Sequence, residues 1–504
     1  MVKNIMKNSY TPSPLTEIYP TDIKNKITLL TLVYQNRNGI NIGELIEISG
    51  LHRKTIYKYL KEINELCLEH FNEKFINISE KKQYFFTETK IEFLTLRLLL
   101  IERTPITQLT LAFLQSSAIS TPLFCSRNFI TESTLKVYLK TYNKFLRPYG
   151  IFLRTKGETL NIVGDEAKIR YFIASFLWRT YRGIKWPFII LSKKKLKSSL
   201  SMLHSNSGGE VNKSNLEVLL YLLATNILRV KTQNLITKSS LPSYSEALCK
   251  DFLHDFQKSL ATDYYLPPEE IEYAVLNLHT FPEYFIDNHT PSKILEILHD
   301  NAKSSYLSII HFLEFVKERH KGWSIDSFSG QTFLSVLISS RIFVDIFKDI
   351  YFNIYDLRLI YHSQREFPAL LPTLETFIRK DNDALAETIL KALIFRYAQA
   401  YITIFPPQDF EPKIDILVIT DMPVYIETLL INRLRAILSE KFNFTIHTSL
   451  NIVNPDLIIA TGKVDESLTK HKVIYVYPDL PLPDSQSILR SCKSIVQKKY
   501  NFSS

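Results

Sequence analysis

Residues 40–66, INIGELIEISGLHRKTIYKYLKEINEL, decide how the rest of the chain is read. They read as two helices joined by a tight turn. The first, over 42–49, is short, with Leu45, Ile46 and Ile48 apolar. Gly50 supplies the turn, because glycine takes a left-handed backbone without a steric cost, and Leu51 packs beneath it. The second helix runs from about residue 52 to 66. Its inward stripe is Ile56, Tyr59 or Leu60, and Ile63, at helical spacing. Its outward stripe is Arg53, Lys54, Tyr57, Lys58 and Lys61, with Thr55 interleaved. An apolar anchor face opposite a cationic one suits a helix that enters the major groove and reaches base edges and phosphates. The same pattern also fits an ordinary helical hairpin with a solvated lysine face.

The flanking sequence extends this unit. Residues up to Pro20 look like a loose arm. Thr21 and Asp22 can cap a supporting helix that carries Ile23, Ile27, Leu29, Leu30 and Leu32 toward Tyr34. Downstream, Phe75 to Ile78 and Gln83 to Phe86 are short apolar runs around Glu80-Lys81-Lys82, the pattern of a β-hairpin. It is either a wing, with Lys81 and Lys82 at its tip near phosphate, or a plain edge hairpin. A strongly apolar helix over 87–102 follows, and then the order of elements recurs. Residues 108–115 are helical, and a short helix near 121–125 leads through Asn128-Phe129-Ile130 to TESTLKVYLKTYNKFL. Thr131 is a natural N-cap there. Leu135, Leu139 and Tyr142 or Phe145 form the inner stripe, with Thr134, Lys136, Tyr138 and Lys140 on other faces. A second hairpin turns at Lys156-Gly157-Glu158. A chance hairpin rarely recurs with the same order of elements, so the repetition outweighs either copy.

The bulk properties bound the function. At 504 residues the chain is too long for one core, and about three to five domains are expected. Net charge is +10, which permits a polyanionic partner without requiring one. The four cysteines, Cys67, Cys125, Cys249 and Cys492, show neither disulfide nor metal-ligand spacing, so a reducing compartment is expected. The N-terminus lacks the apolar core of a signal peptide, and apolar runs such as 188–191 are far below membrane-spanning length. The expectation is a cytoplasmic protein without a membrane partner. No Ser-His-Asp set, HExxH, P-loop or dinucleotide fingerprint is present. No cofactor, no metal and no enzymatic activity are therefore expected.

Specific residues then narrow the class. Gly164-Asp165-Glu166, Ile169-Arg170, Trp178 and Trp186-Pro187-Phe188 resemble the segment after the second winged helix in the Mga-like family of Gram-positive transcription regulators. Read without the family, Asp165 or Gly164 starts a long helix ending at Gly183, with Trp178 and Tyr181 on its buried side. The resemblance implies a multidomain, mainly α protein. Residues 1–90 would form an N-terminal winged helix-turn-helix and 91–165 a second one. Residues 166–290 and 291–408 would be two helical bundles like phosphotransferase-regulation domains, and 409–504 a small α/β domain like enzyme IIB of sugar phosphotransferase systems. The pattern agrees: residues 192–406 read as helical throughout, with breaks at 205–209, 287–292 and 323–330. The last stretch alternates strand and helix, as a small parallel sheet does.

The resemblance also implies a mechanism. The chain would bind double-stranded DNA as a homodimer or higher homo-oligomer and regulate transcription, as an activator. DNA contacts would come from Arg53, Lys54, Thr55, Tyr57, Lys58, Lys61, Lys81 and Lys82, and from Thr131, Ser133, Thr134, Lys136 and Lys140 in the second unit. Phosphotransferase-system proteins would be partners if a histidine accepts phosphate. His279 lies in a stretch resembling the helix that carries the second histidine of a first regulatory domain, whereas 219–229, resembling the helix of the first one, has none. His311 and His362 are weaker candidates, and His204, His254, His289, His299 and His320 also lie in the helical region. The loop Thr420-Asp421-Met422-Pro423 stands where enzyme IIB holds its phosphoacceptor cysteine and has no cysteine. One alternative reading, a phosphotransfer or sugar-uptake component, loses its nucleophile there; another, a phosphotransferase-controlled antiterminator, would carry a small all-β RNA-binding unit that the helical N-terminus does not fit.

Overall fold

The first long helix, α1 (Thr21–Gln35), opens after Pro20, so Thr21 and Asp22 are first-turn residues rather than caps. The computed structural model describes residues 14–201, 213–284, 290–352, 354, 367–381, 385–448 and 454–503. His204, His289, His362 and the break expected at 205–209 lie outside these. The chain divides into two compact units, residues 1–306 with 342–357, and 307–341 with 358–504.

In the first unit, β1 (Ile40–Asn41) runs into α2 (Ile42–Ser49) and α3 (Arg53–Phe71), followed by β2 (Ile76–Ile78) and β3 (Gln83–Phe86). Asn41 caps α2 reciprocally. Its Oδ1 accepts from Glu44 N at 3.0 Å, and its own N–H donates to Glu44 Oε2 at 3.0 Å. Gly50 ends the helix at φ +69°. Ile56, Leu60, Ile63 and Cys67 of α3 join Leu29, Leu30, Leu45, Tyr84 and Phe86 in one core. Leu60 is thus the buried member of the expected pair, and Tyr59 is half-buried with Lys26 Nζ 5.5 Å from its ring centroid. The helix runs to Phe71, five residues past the expected end, until Asn72 turns left-handed at φ 58°.

After α4 (Lys90–Ile101) and α5 (Pro105–Ala112), the plan repeats as β4 (Ile119–Ser120), α6 (Thr121–Arg127), α7 (Glu132–Leu146), β5 (Phe152–Lys156) and β6 (Thr159–Val163). Both hairpins belong to three-stranded antiparallel sheets of matching order, β1-β3-β2 and β4-β6-β5. The hairpins were expected; the two-residue strands that complete them, too short to show a period, were not. One further device recurs. Asn64 of α3 donates from Nδ2 to Ile76 O at 2.8 Å and accepts from Ile76 N at 3.1 Å. Asn143 of α7 does the same to Leu153, at 2.9 and 2.7 Å. Each asparagine clips the first hairpin strand to its helix by copying a ladder pair.

The residues that carry the family resemblance turn out to be a structural hub. Gly164 has φ +155°, and a Cβ there would lie 2.8 Å from Gly150 O. Asp165 caps α8 (Glu166–Tyr181), accepting from Ala167 N at 3.0 Å. Helices α9 (Lys193–Ser201), α10 (Lys213–Lys231), α11 (Ser245–Asp251), α12 (His254–Tyr264) and α13 (Pro268–His279) follow. Arg170, fully buried, pairs with Glu270 of α13 at 2.5 and 3.0 Å and with Glu166 at 3.0 Å. Arg229 of α10 grips Glu166 at 2.8 and 2.7 Å and donates to Phe113 O at 3.0 Å. Trp186 and Phe188 pack against Tyr221. Tyr181 is buried and Trp178 half-buried, close to expectation.

Helices α14 (Thr290–Asn301), α15 (Lys303–Arg319), α16 (Phe328–Phe347), α17 (Leu370–Asp381) and α18 (Glu387–Ile404) continue the helical region. By length and composition α16 could cross a membrane, contrary to the expectation from the short apolar runs, but 78% of its apolar window is buried inside the protein. In the second unit, β7 (Ile414–Ile419), α19 (Val424–Leu438), β8 (Phe444–His447), β9 (Leu457–Ala460), β10 (Val473–Tyr475) and α20 (Leu482–Ser503) form a parallel α/β domain with strand order β10-β9-β7-β8. Ile414, Ile416, Val418, Leu457 and Ile459 share a core with Leu430 and Leu434 of α19 and Ile488 and Cys492 of α20.

Candidate nucleic-acid interface

The N-terminus of α3 is built against the usual preferences of a helix. Its N-cap, His52, makes no side-chain capping bond, and no acid stands in the first turn. Helices favour acids at that end, where unsatisfied N–H groups and the macrodipole leave positive charge. Here Arg53 and Lys54, both exposed, add two more cations. The conflict resolves if an anion is supplied from outside, because a helix N-terminus flanked by cations is a phosphate site.

The rest of the outer face continues from there. Arg53 Nε donates to Tyr57 Oη at 3.1 Å, and its guanidinium lies 5.6 Å from the Tyr57 ring centroid. Tyr57 is 43% exposed, and it stands close enough to Tyr84 of β3 to reinforce burial in raising that phenol's pKa. Thr55 is half-buried. Lys58 and Lys61 are exposed but face Glu62 at 3.8 Å and Glu65 at 3.5 Å. Such exposed i,i+4 pairs are weak, and phosphate can displace them. Lys81 and Lys82 sit exposed at the tip of the first hairpin, Lys82 at φ 58°. The structure thus brings Arg53, Lys54, Tyr57, Lys58, Lys61 and the two tip lysines to the surface of one unit.

The second helix-turn-helix differs. Thr131 caps α7, accepting from Thr134 N at 3.2 Å, and its Oγ1 lies 2.8 Å from Ser133 Oγ and 2.9 Å from Thr134 Oγ1. These three hydroxyls bond to one another within the cap, while Thr131 and Ser133 stay exposed and Thr134 is half-buried. Lys136 and Lys140 are exposed. Several exposed cations escaped the sequence reading: Arg127 at the end of α6, and Arg154 and Lys156 on the second hairpin. The hairpin pattern around Lys156-Gly157-Glu158 was the signal that could have found the last two.

His279 sits at the end of α13 and is 4% exposed. Its Nδ1 lies 2.8 Å from the Val275 carbonyl, and its ring meets Phe252 edge-on at 5.5 Å. Burial pushes its pKa down to about 4. A phosphoryl donor protein has no access to it in this conformation. In the C-terminal domain, Thr461 Oγ1 donates to Asp421 Oδ1 at 2.7 Å, which ties the loop after β7 to the end of β9. Cys492 is buried, with its thiol pushed up to about 12, so no thiolate is available for phosphate transfer. Among the described residues, no cluster of His, Cys, Asp and Glu could hold a metal.

Comparison with known proteins agrees with this geometry. Residues 20–83 match the family described as the M protein trans-acting positive regulator (MGA) HTH domain, and residues 88–177 match the Mga helix-turn-helix domain. A protein of Streptococcus pneumoniae serotype 4 (strain ATCC BAA-334 / TIGR4), described as "Putative trans-acting regulator", is 28% identical over 107 residues. That match covers 21% of this chain and 22% of the relative, so the chain spans about a fifth of that protein's length. Residues 20–83 and 88–177 are thus each similar to a helix-turn-helix domain of Mga-like regulators.

Proposed function

We propose that this chain is a DNA-binding transcription regulator of the Mga-like type, and not an enzyme. The observation that carries the reading is the uncapped N-terminus of α3, headed by Arg53 and Lys54 and free of acids in its first turn. Arg53, Lys54, Tyr57, Lys58 and Lys61 enter the major groove or clamp its phosphates, and Lys81 and Lys82 steady the wing. Lys136 and Lys140 add contacts from the second helix-turn-helix. The helical region between the DNA-binding domains and the C-terminal sheet senses the physiological signal, and the C-terminal α/β domain serves self-association. Transcription rises when the protein binds.

The test is binding of full-length protein to duplex DNA across a salt series. Each phosphate-neutralising cation that is removed lowers the slope of log affinity against log salt by about 0.9. Replacing Arg53 and Lys54 by Ala should therefore lower the slope by about two and weaken binding at every salt concentration. An unchanged slope would remove α3 from the interface. Phosphotransfer finds no support in the C-terminal domain, where the loop after β7 lacks a cysteine and Cys492 is inert.

A further inference from the structure

The two helix-turn-helix turns close their first helices differently. Gly50, at φ +69°, ends α2 by donating its N–H to Ile46 O at 2.9 Å. In the second helix-turn-helix Phe129 N–H reaches Ser126 O at 3.3 Å and Ile130 N–H reaches Cys125 O at 3.1 Å. This paired closure places Phe129 just past the cap, where helices normally use glycine. Its φ is +54°, a strained conformation for a bulky side chain. The second turn is also one residue longer, 128–131 against 50–52. Ile130 takes the half-buried place that Leu51 takes in the first helix-turn-helix, so Asn128 is the added residue and Phe129 stands in the left-handed place of Gly50.

That residue is turned fully outward. Phe129 is 96% exposed, more than any other large apolar side chain among the described residues. The two closing hydrogen bonds hold the left-handed backbone, but the ring itself is left almost wholly in water. Such outliers point from structure toward function. The surroundings indicate which function. Phe129 stands two residues before Thr131, the cap of α7, and Val137, 62% exposed, is a second outward apolar side chain, on the stripe between Ser133 and Lys140. Arg127, Lys136 and Lys140, on the two helices that flank this turn, are exposed as well. Outward apolar side chains on the same helix-turn-helix as exposed cations complement the major groove, where thymine methyl groups lie between phosphate rows.

We propose that Phe129 is a DNA-contacting residue of the second helix-turn-helix, set against thymine methyl groups in the major groove beside Lys136 and Lys140. The second helix-turn-helix then reads sequence by apolar contact, whereas the first relies on cations. This rests on the DNA-binding reading above. The test uses full-length protein and a duplex that the wild type enriches from a randomised pool, made once with thymine and once with deoxyuridine, which lacks the methyl. Phe129→Gly and Phe129→Asn both suit a left-handed backbone. Both variants should unfold at the same temperature as the wild type or higher, yet bind the thymine duplex about five- to tenfold more weakly. Deoxyuridine should weaken the wild type similarly and leave both variants unaffected. Undiminished affinity in both variants overturns the proposal, as does equal sensitivity to deoxyuridine in all three proteins. A loss of oligomer mass in sedimentation with DNA affinity per oligomer unchanged also overturns it, and assigns Phe129 to a protein contact. If the wild type enriches no duplex at all, the DNA-binding reading itself fails; if Arg53→Ala weakens binding while the Phe129 variants do not, that reading stands and only this inference falls.

Discussion

Lys54 occupies a position where helix energetics ask for an acid, and that makes stability and function separable at one residue. Lys54→Glu places a favourable charge on the first turn of α3 and should stabilise the domain by about 0.5 kcal/mol, read from chemical denaturation. The same substitution should weaken DNA binding at least tenfold, because it both removes a cation and adds a like charge opposite phosphate. A simple structural lysine would give the first effect without the second. His279 supports a second prediction at this scale. Its folded pKa of about 4 lies below the ordinary histidine value of 6.5, so the folded ring stays neutral while the unfolded one takes up a proton as pH falls. The contribution is fully present above about pH 6.5 and is lost progressively toward pH 4, by about 3 kcal/mol in all. His279→Gln should flatten that part of the stability profile. Incubation with the general phosphotransferase proteins and labelled phosphoenolpyruvate should leave His279 of the folded chain unlabelled.

Among the elements, the asparagine clips are what join each outward-facing helix to its hairpin. Ile76 is buried, so Asn64→Ala strands its N–H and carbonyl away from water. The expected cost is about 1–3 kcal/mol, with faster amide exchange confined to the first hairpin. Asn143→Ala should do the same to the second hairpin through Leu153. Most of these elements were legible beforehand. Period-3.6 patterns located α2, α3 and α7, and short apolar runs located both hairpins. The ends were less legible: α3 continues to Phe71 because Leu66 packs against the domain core and Cys67 is buried within it, and no local signal stops it until Asn72. The face of Tyr59 and Leu60 was undecided because adjacent helix positions differ by about 100°, and only the packing partner settles which turns inward.

For the molecule as a whole, the most consequential contacts lie far apart in sequence. Glu166, Arg170, Arg229, Asn234 and Glu270 join three helices of the first unit in one buried ionic network, and Arg229 also holds Phe113 at the end of α5. Removing one member of a buried pair leaves an uncompensated charge, so Arg170→Met should destabilise the first unit by about 3–5 kcal/mol in a denaturant titration. Arg170 has no exposed surface, so the salt slope of DNA binding by the protein that remains folded should stay unchanged.

What the amino-acid order determined alone was everything with a short period: the helices, the hairpins, the cationic stripe on α3, the duplication of the whole motif, and the strand–helix alternation at the C-terminus. Each of these is written in side chains that lie within a few residues of one another. Tertiary structure decided the rest. Asp165, Glu166 and Arg170 could be recognised as a family signature, yet their purpose was visible only once Glu270 and Arg229 were brought to them. His279 could be matched to a regulatory histidine, and only packing against Phe252 enclosed it. Phe129 read as a plain turn residue until the backbone placed it left-handed and turned its ring into water. Burial and long-range pairing depend on which distant segments meet, and no local spacing encodes that.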